Sequence, residues 1–195
     1  MTSQTAGVET PDANLQGKRA LIICTDFGVE EAELVGPLEA LRSAGADVTV
    51  ASTTGQTIQT VNGDKDWAST IEPSGTVESM SVDDFDVLIA PGGTVNADTL
   101  RGNEDVQQLL RAFVEAKKPV AAICHAPWIL IDAGLADGKN LTSYQSLKPD
   151  LVNAGAQWND RSLVRCDGNG WVLITSRNPG DLDDFNAAIA AELAA

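Results

Sequence analysis

Short apolar runs alternate along this chain with segments of helical periodicity. The runs are rich in Val, Ile, Leu and Ala, which predicts strands that are buried on both faces. They lie at 20–25, 47–52, 85–90, 119–123 and 171–175. Between the first two, apolar residues recur every three or four positions from Glu31 to Leu41, and Gly45 ends this predicted helix. Further helices are predicted at about 103–116, directly after Cys124, at 146–153 and at 181–193.

Strands that alternate with helices of this length indicate βαβ units and a doubly wound, mostly parallel sheet, the α/β class. Residues 18–195 are predicted to form one such domain. Residues 53–81 are polar and Gly-rich and predict a hairpin excursion from it. Residues 1–17 lack any apolar block and predict a disordered lead-in without the features of a signal peptide.

Three segments with candidate chemistry follow predicted strands. Residues 26–31 follow the first strand, Pro91-Gly92-Gly93 follow the third, and Cys124-His125 follow the fourth. Ligands of open α/β sheets bind outside the carboxyl ends of the strands. The topology therefore predicts that these segments share one pocket.

Cys124 is the strongest candidate because a buried strand turns there into a helix. A helix N-terminus lowers the pKa of a thiol, and a sharp turn exposes its sulfur, which favours a nucleophile or redox centre. The alternative is that Cys124 is only a small apolar residue buried in the core. His125 is predicted to assist catalysis or to cap the helix. Adjacent residues at the start of a helix point in different directions, so His125 need not contact the Cys124 sulfur.

The other candidates have structural alternatives of their own. The backbone of Gly92 and Gly93 is predicted to form an oxyanion site or a plain turn. One of the carboxylates at 30, 31 and 33 could share a proton with the thiol. The other two are expected only to stabilise the N-terminus of the predicted helix by their negative charge. Asp98 is either a helix cap or the acidic partner of His125.

Composition excludes several classes of function. The net charge of -15 disfavours binding to nucleic acid and to anionic membranes. No apolar run is long enough to span a membrane, so a cytoplasmic protein is expected. Three cysteines spread along the chain and a single histidine predict reduced thiols, no metal site and no cofactor.

These residues resemble the ThiJ/PfpI superfamily, in particular its PfpI-like branch of intracellular proteases and deglycases. The similarity covers nearly all of residues 18–193. The matching segments are Glu30–Pro37, Ala90–Gly93, Lys118–Pro127, Leu141–Tyr144 and Ser176–Leu182.

The resemblance implies a flavodoxin-like fold related to class I glutamine amidotransferases. It implies that Cys124 is the nucleophile, that Glu30 is the carboxyl group hydrogen-bonded to it, and that backbone groups of Gly93 and His125 form the oxyanion site. In PfpI-like proteins an acid from a neighbouring subunit contacts the histidine. Asp98 matches that position with one extra residue in the loop, so a homodimer or higher homo-oligomer is expected.

The favoured function is a stress-related cysteine hydrolase that acts on aldehyde adducts or peptides. The alternative is an oxidative-stress sensor whose Cys124 is oxidised to a sulfinate without turnover. Glutamine amidotransfer is a weaker option because the chain has no separate downstream histidine. A flavodoxin-type electron carrier is weaker still, because the loop after the first strand is acidic where phosphate would bind.

Overall fold

The hydrophobic runs of the sequence lie side by side at the centre of the structure, a computed structural model that describes residues 14–195. The strands are β1 (Arg19–Cys24), β2 (Phe27–Glu30), β3 (Asp47–Ser52), β4 (Ile58–Asn62), β5 (Asp66–Ile71), β6 (Gly75–Thr76), β7 (Val87–Ala90), β8 (Val120–Ile123), β9 (Asn140–Leu141), β10 (Gln157–Trp158), β11 (Val164–Cys166) and β12 (Leu173–Ser176). The α-helices are α1 (Glu31–Ser43), α2 (Thr94–Arg101), α3 (Glu104–Glu115), α4 (Trp128–Asp132), α5 (Lys148–Asn153) and α6 (Leu182–Ala194).

Seven strands form the main sheet in the order β11-β12-β8-β7-β1-β3-β6. Every neighbouring pair is parallel except β11 with β12. Apolar side chains of α1 and α6 pack on one face of this sheet, and those of α3 and α4 pack on the other. The predicted α/β, flavodoxin-like fold with a doubly wound and mostly parallel sheet is therefore confirmed.

The winding of the chain reverses at β1, which has β3 on one side and β7 on the other. Ligands of such sheets bind at this switch point, outside the carboxyl ends of the strands. The carboxyl ends of β1, β7 and β8 are Cys24, Ala90 and Ile123. Because β7 pairs with both β1 and β8, the three ends lie at the same edge, as the sequence predicts.

A smaller sheet in the order β2-β4-β5 stands beside this edge. β4 and β5 are antiparallel, which confirms the predicted hairpin. The sequence does not predict β2, which follows β1 after two residues and pairs with β4. The turn between β4 and β5 carries Gly63 and Asp64 to the start of α1 and α2, where both make hydrogen bonds.

Two further elements differ from the prediction. Residues 94–101 form α2, whereas the sequence predicts a loop at 94–97 and places the next helix at about 103–116. The predicted lead-in extends too far, because Leu15 is buried and its N–H donates to the carbonyl of Ala44 at 2.8 Å. The rest of that lead-in, residues 1–13, lies outside the described residues. Between residues 14 and 195, no helix is both long and apolar enough to cross a bilayer.

Candidate active site

Cys124 lies at a sharp bend directly after β8. Its φ is 62°, a backbone conformation that residues other than glycine rarely adopt. The Cys124 N–H donates to the carbonyl of Ser176 at 3.0 Å, and its carbonyl accepts the N–H of Tyr144 at 2.7 Å. These two bonds hold the strained residue in place, which is typical of a functional position.

The helix predicted directly after this bend begins later. Residues 124–127 form turns, and α4 spans only Trp128–Asp132. The dipole of a helix acts within its first turn, so a short helix that begins after these turns gives the sulfur little stabilisation. Ionisation of Cys124 has to come from other groups.

Glu33 is the carboxyl group beside the sulfur. It lies in the first turn of α1 and is fully buried. Its Oε2 accepts the N–H of Gly92 at 2.7 Å, its Oε1 has no hydrogen-bond partner, and the Cys124 thiol lies near enough to influence the pKa of the carboxyl. Burial raises the pKa of Glu33 to about 8. At neutral pH this carboxyl therefore holds a proton close to the Cys124 thiol.

The structure corrects the assignment of that role to Glu30. The Glu30 carboxylate accepts the N–H of Gly63 at 2.9 Å and that of Asp64 at 3.3 Å. Glu30 is the last residue of β2, whereas Glu33 lies on the face of α1 that packs against the main sheet. Glu30 lines the rim of the thiol pocket and fixes the turn that carries Asp64.

His125 faces the thiol with one ring nitrogen and Thr94 with the other. Its Nδ1 lies 3.1 Å from Cys124 Sγ, and its Nε2 lies 3.4 Å from Thr94 Oγ1. The Thr94 hydroxyl donates its hydrogen to Asp64 Oδ2 at 2.8 Å, so towards His125 its oxygen can only accept. Nε2 therefore carries the proton of the neutral ring, and Nδ1 is free to accept the proton of the thiol.

Burial lowers the pKa of His125, although the Asp64 charge acts in the opposite direction. The ring is therefore neutral near pH 7 and can act as a base. The Tyr144 ring stacks on it with the centroids 4.6 Å apart, which fixes the plane of the imidazole.

Two backbone N–H groups, those of Gly93 and His125, stabilise negative charge on the Cys124 sulfur. Gly92, the third residue that the sequence assigns to the oxyanion site, donates its N–H to Glu33 instead. A Cβ at Gly92 would lie 2.6 Å from Glu33 Oε2 and 2.7 Å from Cys124 Cβ. Gly92 thus lets the carboxyl approach the sulfur, and the donors of the site are Gly93 and His125.

The predicted low pKa of the thiol is wrong. Burial raises the pKa of Cys124, and so does the charge of Glu33 when that carboxyl is ionised. Protonation of Glu33 removes the second cause, and His125 Nδ1 supplies an acceptor for the thiol proton. The geometry favours loss of this proton to His125 as the sulfur reacts, rather than a thiolate formed in advance.

A pocket of about 190 Å³ opens above the sulfur. Glu30, Asp64, Tyr144 and Pro179 line it together with the reactive groups. Asp98 is exposed on α2 and does not line this pocket. The carboxylate linked to His125 inside one chain is that of Asp64, through Thr94.

The sequence gives little sign of Thr94 and Asp64. Asp64 lies in the turn sequence Asn62-Gly63-Asp64 between two strands, and only that turn signal is visible. Among residues 14–195, the structure has no group of three His, Cys, Asp or Glu side chains that could hold a metal ion.

Comparisons with known proteins give a consistent result. The model of the DJ-1/PfpI family matches residues 18–192. General stress protein 18 of Bacillus subtilis is 36% identical over 170 residues, which cover 87% of this chain and 94% of that protein. Deglycase PfpI of Pyrococcus furiosus is 39% identical over 153 residues, which cover 78% of this chain and 86% of that protein. The crystal structure of Drosophila melanogaster DJ-1beta has a TM-score of 0.80 at 39% identity and covers 91% of this chain and 90% of that one.

Proposed function

This chain belongs to the DJ-1/PfpI family, and we propose that it is a cytoplasmic, stress-related cysteine hydrolase that cleaves aldehyde adducts of amines. One observation carries the proposal: the Cys124 sulfur lies between a neutral imidazole nitrogen at 3.1 Å, a protonated carboxyl and two backbone N–H groups. Each of these groups has a task in nucleophilic attack on a polarised carbon. The relatives named deglycase and stress protein support the substrate class and the role.

The reaction begins when His125 Nδ1 takes the thiol proton and the sulfur bonds to the adduct carbon. The backbone N–H groups of Gly93 and His125 donate to the negative charge that develops on the substrate as the sulfur attacks. Glu33 donates a hydrogen bond to the sulfur. The bond from carbon to nitrogen then breaks, and the leaving amine takes the proton from His125. Water releases the carbon fragment from the sulfur and restores the thiol. A peptide bond can be cleaved by the same steps, which makes peptides the second substrate class.

Turnover of methylglyoxal-modified N-acetyl-lysine, followed by release of the free amine, tests the proposal. Loss of this turnover in Cys124→Ala, with activity retained in the control Cys166→Ala, is the expected result. A fluorescent peptide in a parallel assay distinguishes peptidase activity from adduct cleavage. Amine release by Cys124→Ala at the rate of the unmodified protein would overturn the proposal.

A second candidate, the oxidative-stress sensor, has an observation of its own. The protonated Glu33 carboxyl lies beside the Cys124 thiol and its Oε1 has no hydrogen-bond partner, so the carboxyl can donate to an oxygen on the sulfur. Two equivalents of peroxide convert the thiol into a sulfinic acid and leave two waters. The intact mass after mild peroxide treatment would then increase by two oxygens in the unmodified protein but not in Cys124→Ala. Failure to gain two oxygens would exclude this role.

The expectation that a second copy supplies Asp98 to His125 stays a proposal. Asp98 is exposed on α2, the helix that begins with Thr94, so a neighbouring chain can reach it. Light scattering is expected to show a homodimer, and the Asp98→Asn variant is expected to have a reduced turnover rate. A monomer, or a dimer in which Asp98→Asn has normal kinetics, would contradict it.

A further inference from the structure

A second cavity, of about 520 Å³, adjoins the thiol pocket. Tyr144 lines both spaces. Asn178 lines the large cavity, and the next residue, Pro179, lines the thiol pocket. The two spaces are therefore neighbours that share Tyr144 as a wall, and together they are called the cleft below.

The sizes of the two spaces differ in a way that matters for a substrate. Sites for small organic ligands typically have volumes of about 300 to 1,000 Å³. The thiol pocket, at about 190 Å³, is below that range and holds only the reacting carbon and its nearest substituents. The cavity beyond Tyr144 is within the range, and the part of a substrate that leaves after attack has to lie outside the thiol pocket.

The walls of the larger cavity are fixed before any ligand binds. The indole N–H of Trp158 donates to Ser143 Oγ at 2.9 Å, and the Lys148 ammonium lies 5.1 Å from the centre of the Trp158 ring. The Trp158 indole is therefore held in place by the hydrogen bond of its N–H group and by the ammonium group near its ring. An aromatic wall that is already ordered binds a ligand at little entropic cost.

Arg177 in this cavity is not an anion site. Its Nε and Nη2 donate to the Asp181 carboxylate at 2.9 and 3.0 Å, and its Nη1 donates to Asp160 at 2.8 Å. Two carboxylates outweigh one guanidinium, and Asp160 remains largely exposed at the cavity. Glu30 and Asp64 line the thiol pocket at the other end of the cleft. Even with the Lys148 ammonium beside Trp158 counted, carboxylates outnumber cations along the cleft, which disfavours an anionic ligand and favours a neutral or positively charged one.

We propose that the cavity lined by Trp158, Asp160 and Asn178 binds the amine-bearing part of the substrate, an amino acid or peptide segment with neutral or positive charge. This inference rests on the proposed function, since it assigns a place to the leaving amine of that reaction. Trp158 contacts the backbone and the apolar stem of that segment, and Asp160 selects its charge. The cleft thereby discriminates between adducts by the amine that is released.

Kinetics with three substrates test the assignment: the methylglyoxal adduct of methylamine, whose amine has no segment to fill the cavity, the adduct with N-acetyl-lysine methylamide, and the adduct with glutathione, which carries two carboxylates. Trp158→Ala is expected to lower kcat/KM for the lysine adduct about tenfold and to leave that for the methylamine adduct unchanged. Asp160→Asn is expected to reduce the preference for the lysine adduct over the glutathione adduct. Trp67→Ala, which alters an exposed tryptophan on β5, is the control and should change none of these values.

Binding without turnover separates this inference from the proposed function. In Cys124→Ser, unmodified N-acetyl-lysine methylamide should shift the indole N–H resonance of Trp158, which is identified by its loss in Trp158→Phe. N-acetyl-glutamate methylamide should shift it less. A shift in Cys124→Ser, together with no turnover of any substrate by the unmodified protein, would keep the subsite and refute the hydrolase. An unshifted resonance, or a Trp158→Ala variant with equal losses on all three substrates, would overturn the subsite even in an active hydrolase.

Discussion

The Asp64 carboxylate holds Thr94 by two hydrogen bonds, from the N–H at 2.6 Å and from the hydroxyl at 2.8 Å. This pair decides which nitrogen of His125 carries the proton, because the Thr94 hydrogen is committed to Asp64 and its oxygen is left as an acceptor. Glu30 in turn holds the turn of Asp64 through two backbone N–H groups. A carboxylate that does not touch the substrate can thus set the proton acceptor at the thiol.

Asp64→Asn should lower kcat for the proposed reaction by about 10- to 100-fold, the range of a misplaced general base. The new amide N–H can donate to Thr94 Oγ1, which frees the Thr94 hydrogen to donate to His125 Nε2. The ring proton would then move to Nδ1, where it blocks transfer from the thiol. Since the chain has one histidine, nitrogen NMR of labelled His125 reports this tautomer directly.

Asp66→Asn is the control for this prediction, because Asp66 is an exposed residue of the same hairpin. It should leave both the tautomer and the rate unchanged. An Asp64→Asn protein with the ring proton still on Nε2 and a normal rate would show that Asp64 has no positioning role.

Glu33→Gln should change how stability depends on pH. The folded protein holds the Glu33 proton up to a pKa of about 8, whereas the unfolded chain releases it near 4.5. Between these values the folded state binds more protons, so the free energy of unfolding falls as pH rises from about 5 to 8. Glutamine does not titrate, and urea unfolding of Glu33→Gln across this range should show a smaller decrease.

Glu31→Gln is the matched control from the same helical turn. Hydrogen bonds from Ser69 lower the pKa of Glu31, so its contribution to stability is complete above pH 4.5 and is lost only at lower pH. Between pH 5 and 8 the free energy of unfolding of Glu31→Gln should fall with the same slope as that of the unmodified protein. Equal slopes in Glu33→Gln and the unmodified protein would mean that Glu33 is ionised in the folded state.

The sequence predicts the main sheet well because its signals are local. Buried parallel strands are short apolar runs, and Asp47–Ser52 is recovered with its exact bounds. Helix α2 is missed because Thr94, Val95 and Asn96 are weak helix formers. In the structure the Asn96 side chain donates to the carbonyls of Pro91 and Gly92, and its oxygen accepts the N–H of Thr25. The contact with Thr25 joins residues 71 positions apart, and no local pattern reveals it.

The sequence predicts part of the candidate site and misses the rest. Cys124, His125 and Gly93 are found because each ends or follows a strand at the switch point. Helical phase, rather than sequence position, determines that Glu33 and not Glu30 faces the sulfur. Asp64 reaches the site only because the hairpin folds back over α2, and an exposed turn carries no sign of where it docks.

Gly92→Ala should impair both folding and activity. The added Cβ would lie 2.6 Å from Glu33 Oε2, 2.7 Å from Cys124 Cβ and 2.9 Å from the carbonyl oxygen of Ile123. Overpacking of this kind costs about 1–3 kcal/mol, and relief requires the carboxyl to move away from the sulfur. Urea unfolding together with the rate of thiol alkylation at Cys124 would measure the two effects.

Gly102→Ala is the control for that substitution. Gly102 caps α2 with a φ of -83°, and the nearest atom to an added Cβ is the carbonyl oxygen of Thr99 at 3.8 Å. This variant should be as stable as the unmodified protein or slightly more stable. Equal behaviour of the two alanine variants would refute the tight packing at Gly92.

Lys139→Met should destabilise the fold without an effect on the thiol. Lys139 is fully buried, and its ammonium donates to the carbonyls of Gly168 and Trp171 and lies 3.6 Å from the centre of the Trp171 ring. Methionine fills a similar volume but leaves both carbonyl groups without this donor, which should cost about 2 kcal/mol or more in the free energy of unfolding. Urea unfolding measures this cost, and Lys65→Met in the exposed hairpin turn should show none. An unchanged midpoint for Lys139→Met would mean that the burial cost of the ammonium cancels its hydrogen bonds.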